Sequence, residues 1–341
     1  MSNRTLFVIT IFLILILTSL SMGYYGLYAP NTKVEDEGII FIQKGDSIED
    51  IANLLKTKKY ISDTWTFKMI SNLKKYSQNI VPGRYKIENA VSFNKLVNKL
   101  RIGEQEPINF TFNNIRSIKE LSVIAYNKLN IDSNNIVKLS KDSAFLKSIN
   151  FTKESLPVIF IPNTYKIYWN ISARKFYSIM LREYHKFWNN SRLKLCKEIG
   201  LSPIEVTTVA SIVEEESNKL DEYNRIAGVY INRIKRNWAL EADPTLKFII
   251  KDFTVKRILN NYKKIDSPYN TYKYASIPPG PIRITSIQAI ESVLHFEAHN
   301  YFFFCAKEDF SGYHNFSTTL RQHNIYAQKY RRALNKNKIY R

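Results

Sequence analysis

From Thr5 to Thr32 the chain carries no charged residue, and Leu6 to Leu17 is a nearly unbroken run of aliphatic side chains and Phe. Apolar character continues to Tyr28, a stretch of roughly 20 residues or about 30 Å of helix, enough to cross a hydrocarbon core. Arg4 precedes the run, and Lys33, Glu35, Asp36 and Glu37 follow it. A basic residue on the short N-terminal side, with acids dominating the other flank, predicts a cytoplasmic N-terminus and an exported chain. Tyr24, Tyr25 and Tyr28 would form the outer interfacial belt. A cleaved signal peptide would have a shorter apolar core and a small-residue cleavage site, and neither is evident. The expectation is a single-pass protein of the inner (cell) membrane, its bulk periplasmic or extracytoplasmic.

Beyond this segment the pattern changes to short alternating elements. Residues 39–43 read as a strand through Ile39, Ile40, Phe41 and Ile42, Lys44-Gly45-Asp46 as a turn, and Ser47 as the cap of a helix with Ile48, Ile51, Leu54 and Leu55 at helical spacing. A second helix is expected over Trp65–Leu73. Pro82 to Lys86 makes a turn into a short strand, and a last helix carries Phe93, Leu96, Val97 and Leu100 behind a Ser92 cap. A strand, a Gly-Asp-Ser turn and an amphipathic helix in this order resemble LysM-type glycan-binding units. The expected fold is α+β: an anchor (1–30), a small LysM-like α/β module (37–104), a mixed connecting region (105–200) and a larger α+β domain (201–341). Within the connecting region, Phe160 to Tyr165 reads as an aromatic-flanked Pro turn.

One helix carries the chemistry. Ser202, Pro203 and Glu205 form a helix start with a capping box, and the helix runs through Glu214-Glu215-Glu216-Ser217. On a helical wheel Glu216 falls about 20° from Val209, inside the arc of Val206, Ile212 and Val213, whereas Glu214 and Glu215 fall about 140° and about 240° round. A carboxyl among apolar side chains has its charged form disfavoured and its pKa raised. Such a group protonates a glycosidic oxygen at neutral pH. Two plainer readings stand beside it: a buried Glu paired with Arg225 or Arg233, and a stripe that ends at Val213 with Glu216 solvated.

Composition narrows the field. With 50 Lys and Arg against 30 Asp and Glu, the net charge is +20, which favours anionic partners. The excess is spread along a chain rich in Lys, Asn, Ile and Tyr, so a compositional bias also accounts for it. In an exported chain nucleic acid is not expected as a partner, which leaves lipid headgroups or an anionic wall polymer. An aromatic content of 13 % excludes a disordered chain. Two cysteines, Cys196 and Cys305, exclude a disulfide scaffold or a Cys-based zinc ribbon. His295 and His299 are spaced one helical turn apart, so a metal pair is conceivable, but Glu297 is not where a zincin places its base. No phosphate loop, G-x-S-x-G elbow or Cys/His nucleophile motif is present. His314, His323 and Asn324 form a further polar group near the C-terminus.

At Ala210-Ser-Ile-Val-Glu-Glu-Glu216-Ser217 the chain resembles the YceG-like (MltG-type) endolytic murein transglycosylases. Further blocks match in order: Val229 to Arg233, Asp243-Pro244-Thr245, Tyr269-Asn270-Thr271-Tyr272, Ile277-Pro278-Pro279-Gly280-Pro281-Ile282, Tyr301 to Phe304 read as a strand, and His314 through Phe316, Thr318 and Leu320 to His323-Asn324. Asn163 stands where the family usually has Asp. The resemblance implies that Glu216 is the catalytic acid. It also implies substrate contacts from Glu214, Asp243, Thr245, Asn270, Thr271, Tyr272, Pro279, Gly280, His314, Thr318, His323 and Asn324, with no cofactor and no metal. The implied activity is cleavage of the MurNAc–GlcNAc bond of nascent peptidoglycan strands to 1,6-anhydro-MurNAc ends, which would limit strand length. Peptidoglycan synthases are candidate partners. A lytic transglycosylase needs one acid where most glycosidases need two, because the C6 hydroxyl of the sugar is the nucleophile. The rival expectation is a non-catalytic, membrane-anchored scaffold that binds peptidoglycan and recruits synthases.

Overall fold

In a computed structural model, residues 3–255 and 258–337 are described. The first two residues of the expected anchor and the last four of the expected C-terminal domain lie outside them, as do Lys256 and Arg257. The chain is mixed α+β and divides into two compact units, one from Met1–Phe110, Lys128–Asn130 and Tyr165–Ile171, the other from Thr111–Asn127, Ile131–Thr164 and Ser172–Arg341.

The first unit opens with helix α1 (Asn3–Tyr28), followed by β1 (Ile39–Ile42), α2 (Ile48–Thr57), α3 (Thr64–Leu73), β2 (Gly83–Lys86) and α4 (Phe93–Ile102). Within α1, Thr5–Tyr28 is long and apolar enough to cross a membrane. Local chemistry sets the other boundaries. Ser47 and Asp50 cap α2 reciprocally, and Gly45 takes a φ of 100° in the turn before it. Ser92 caps α4, and Gly103 ends it in the left-handed region. β1 and β2 pair antiparallel with Ile40 opposite Tyr85. Ile40, Ile51, Leu55, Phe67, Ile70, Tyr85, Phe93 and Leu100 meet in one core.

The chain continues through β3 (Ile108–Phe112), α5 (Ile118–Lys128), α6 (Ser133–Leu139), α7 (Ser143–Ser148), β4 (Asn163–Ile167), α8 (Ala173–Phe187) and α9 (Asn190–Ile199). It ends with α10 (Pro203–Glu216), α11 (Tyr223–Lys235), α12 (Asp243–Ile250), α13 (Ile287–Leu294), β5 (Phe303–Ala306), β6 (His314–Ser317) and α14 (Leu320–Lys336). β3 and β4 form one two-stranded sheet and β5 and β6 another, the latter antiparallel with Phe304 opposite Phe316. In the second unit α10 is the central helix, packed against α11, α12 and α13.

Four local readings are revised. The Phe160–Tyr165 stretch is no isolated Pro turn: after Pro162 it enters β4, where Thr164 hydrogen-bonds Thr111. The aromatic strand begins at Phe303 rather than Tyr301. His295 and His299 do not share a helical face, because α13 stops at Leu294, and the His299 ring is engaged by Asn232 and the Arg225 carbonyl. Finally, α10 has no single apolar stripe. Every residue from Val206 to Val213 is buried, including Thr207, Thr208 and Ser211, whose hydroxyls bond back to backbone carbonyls of their own helix.

Candidate active site

Three acids close α10, at the end of a helix where the macrodipole is negative and carboxylates are disfavoured. Two of them have arginine partners. Glu215 binds Arg283 at 2.6 Å and Arg116 at 2.7 Å. Glu214 lies 3.5 Å from Arg283 Nε and accepts the Ser286 N–H at 2.9 Å. Both side chains are only 11 % exposed, so although the helical wheel sets them away from the apolar arc they face protein. Arg283 is itself anchored by Asn114.

Glu216 is handled differently. Among the described residues no Lys or Arg pairs with it; its Oε1 accepts from the Tyr230 hydroxyl at 2.7 Å. Arg225 pairs instead with Glu297 at 3.0 Å, and Arg233 with Glu241 at 3.0 Å and three backbone carbonyls. Glu216 keeps a partial opening toward a cavity, yet protein atoms surround its carboxyl densely. Desolvation pushes its pKa up to about 7; the Tyr230 bond works against this, and the nearby Asp243 charge adds to it. The Tyr230 hydroxyl is held well above its ordinary value by burial and by the Glu216 charge, so it stays a donor.

The cavity has a volume of about 490 Å³. Glu216, Tyr230, Arg233, Glu241, Asp243, Lys263, Tyr272, Phe304, Cys305, His314 and His323 are among its lining residues. Asp243 opens α12, and its carboxylate accepts from the Tyr272 hydroxyl at 2.5 Å. Lys263 sits 4.2 Å from the Tyr272 ring centre. His314 Nδ1 lies 2.8 Å from the buried Glu222 carboxylate, which also accepts the His314 backbone N–H. That carboxylate favours the Nδ1–H form and orients the ring. Burial, then the Arg233 charge, lowers the pKa of His323, which keeps it neutral.

Of the residues expected to contact substrate, Asp243, Tyr272, His314 and His323 line this cavity with Glu216. Thr245, Asn270 and Thr271 are buried behind it. Thr245 and Thr271 share a hydroxyl hydrogen bond of 2.9 Å, and Asn270 donates to the carbonyls of Lys263 and Ile265. They hold the Asp243 and Tyr272 loops in place. Glu214 belongs to the Arg283 cluster and is not in the lining. Pro279 is exposed and Gly280 buried, where a Cβ would come 1.9 Å from the Glu154 carbonyl oxygen. Thr318 and Asn324 are exposed and lie outside the lining. Sequence reasoning missed Tyr230, Glu241, Lys263 and Cys305 as members of the wall. Tyr230 had a signal: it is the second residue of the Val229–Arg233 block. Both cysteine thiols are free, Cys196 buried and Cys305 half-buried.

The site is a central helix ending in a desolvated acid that has no cationic partner and opens on a cavity, and the chain carrying it belongs to the YceG-like family, whose model matches residues 40–329. Among its relatives, the endolytic murein transglycosylase of Bacillus subtilis is 25 % identical over 310 residues, covering 85 % of this chain and 84 % of that protein. The endolytic murein transglycosylase of Streptococcus pneumoniae strain D39 is 25 % identical over 285 residues, covering 74 % of this chain but only 51 % of that longer protein. The crystal structure of a yceG-like protein from Listeria monocytogenes shares the fold with a TM-score of 0.56 at 23 % identity, over 84 % of this chain and 98 % of that one.

Proposed function

We propose that this chain is an endolytic peptidoglycan transglycosylase, a carbon–oxygen lyase acting on the MurNAc–GlcNAc bond. The observation that carries this reading is the contrast within one helical turn: Glu215 is paired with Arg283 and Arg116 and Glu214 lies beside Arg283, while Glu216 faces a cavity with a tyrosine and no cation as its hydrogen-bond partner. With a pKa pushed up to about 7, a substantial fraction of Glu216 holds its proton at neutral pH, and it is this protonated form that acts on substrate. It delivers that proton to the bridge oxygen as the C1–O bond breaks. The resulting carboxylate then takes the proton of the MurNAc C6 hydroxyl, whose oxygen closes on C1 to give the 1,6-anhydro ring. No water is consumed, and Glu216 ends protonated as it began. Asp243, Tyr272 and His314 position the sugars in this reading, and the anionic Asp243 favours positive charge developing at C1.

The remaining assignments support a membrane-side role. We read α1 as a single-pass anchor with the N-terminus cytoplasmic, and residues 37–104 as a LysM-like glycan-binding module, supported by its strand–helix–helix–strand order. Residues 105–200 connect it to a catalytic domain at 201–341. Nascent strands emerging near the bilayer, and the synthases that make them, would then lie within reach. The scaffold alternative has no use for an unpaired acid at position 216.

The test is digestion of purified glycan strands by the full chain, followed by mass spectrometry of the ends. Anhydro-MurNAc ends are expected; reducing MurNAc ends would indicate a hydrolase, and intact strands a scaffold.

A further inference from the structure

Helix α3 is apolar on two opposite faces, and only one of them is used. Phe67 and Ile70, at about 200° and about 140° from Trp65 on the helical wheel, are buried in the core of the first unit. Trp65, Met69 and Leu73, four residues apart and at about 0°, about 40° and about 80°, form a second stripe. These side chains are 69 %, 42 % and 72 % exposed. A helix of a soluble domain ordinarily turns charged and polar residues outward. Three large apolar residues in line, one of them Trp, mark a surface that meets something apolar.

The occupant follows from what adjoins the stripe. Gly26, in the last turn of α1, lies so close to α3 that a Cβ there would be 3.0 Å from Cγ2 of Thr66, the residue beside Trp65. Leu27 packs on the same core, and the chain leaving α1 is tied down at once. Thr32 accepts and donates hydrogen bonds at Val91 and Glu88, and Lys33 donates its N–H to the Tyr60 carbonyl. The exit of the apolar segment is therefore fixed against α4 and the core of the first unit, with its last turn beside Thr66 of α3, rather than joined by a free tether. Tyr24, Tyr25 and Tyr28 are exposed at that same end, and Lys75 is exposed just past Leu73.

We infer that Trp65, Met69 and Leu73 enter the interfacial layer of the leaflet from which α1 emerges, so that α3 lies on the bilayer and fixes the tilt of the first unit against it. Trp prefers this layer, and the exposed Lys75 suits anionic headgroups at its edge. The inference rests on the reading of α1 as an anchor.

The experiment uses the full chain reconstituted in phosphatidylethanolamine–phosphatidylglycerol vesicles whose acyl chains carry bromine close to the headgroup. Tryptophan emission should be quenched in the native chain, and most of that quenching should be lost in Trp65→Phe. A Met69→Asp, Leu73→Asp double variant should stay resistant to carbonate extraction through α1 yet lose the Trp65 quenching. A chain that resists extraction but shows equal quenching with and without Trp65, or none, overturns the inference and leaves the anchor intact. A chain extracted by carbonate removes the anchor reading and the inference with it. A Trp65 signal that answers to soluble glycan strands and not to brominated lipid would also overturn it, assigning the stripe to the polymer.

Discussion

The Tyr230 hydroxyl donates to Oε1 of Glu216 at 2.7 Å, joining the last residue of α10 to the middle of α11. This bond favours the charged form of Glu216 and opposes the desolvation that raises its pKa. It also leaves Oε2 as the oxygen that carries the acidic proton. In Tyr230→Phe the bond is gone while the bulk remains. The pKa of Glu216 should rise further, and the alkaline limb of the pH–rate profile should move to higher pH. The looser carboxyl should cost roughly tenfold to a hundredfold in kcat/KM. A pH–rate series on purified strands reads both effects.

Asp243 acts in the opposite sense. Its charge raises the pKa of Glu216, so Asp243→Asn should move the alkaline limb to lower pH. The Tyr272 hydroxyl would lose its carboxylate acceptor, and substrate binding should weaken as well, seen as a higher KM. Opposite displacements of the same limb in these two variants would identify Glu216 as the titrating group.

Glu216 should also leave a mark on stability. Its carboxyl has an unfolded value near 4.5 and a folded value of about 7. Between those pH values the native state holds a proton that the unfolded state has released. Stability therefore falls as pH rises through this window and levels off above it, by about 3 kcal/mol in all. In Glu216→Gln this slope should vanish, so the variant should be the more stable protein at pH 8 and close to the native chain at pH 4. Urea unfolding at the two pH values measures the difference.

Arg283 is 7 % exposed and serves Glu214 and Glu215 together. Arg283→Met would leave two acids without this partner at the negative end of a helix. Removing one member of a buried ionic cluster costs about 3–5 kcal/mol, and denaturant titration should show a loss of that order. Because the negative charge of Glu215 raises the pKa of Glu216, the alkaline limb should also move upward in whatever fraction stays folded.

Much of the first unit was legible because its signals are local. The Ser47 and Ser92 caps, the Gly45 turn and the apolar spacing of Ile51 and Leu55 each act within one or two turns of chain. The site was legible only in part. On α10 the helical wheel separated Glu216 from its neighbours by an apolar arc. In the structure the helix is buried all round, since Thr207, Thr208 and Ser211 hide their hydroxyls against their own backbone. What separates Glu216 is long-range: Arg283, from beyond the Pro-Pro-Gly run, reaches Glu214 and Glu215 but not Glu216. No spacing rule encodes that. Thr245, Asn270 and Thr271 sit in the polar blocks that carry the family resemblance yet face inward, because the backbone groups of buried loops must be hydrogen-bonded. The strand at Phe303 was misplaced by two residues because four consecutive aromatics carry no alternation to set where pairing begins.

The most direct test of Glu216 as the acid–base group is the activity of Glu216→Gln in the folded, full-length chain. Gln keeps the shape and can still accept the Tyr230 hydrogen bond, but it has no proton to give at neutral pH. With purified glycan strands and mass spectrometric detection of anhydro-MurNAc ends, the variant should yield none above background while its thermal unfolding stays cooperative. Anhydro ends formed at a rate near that of the native chain would contradict the role assigned to this residue.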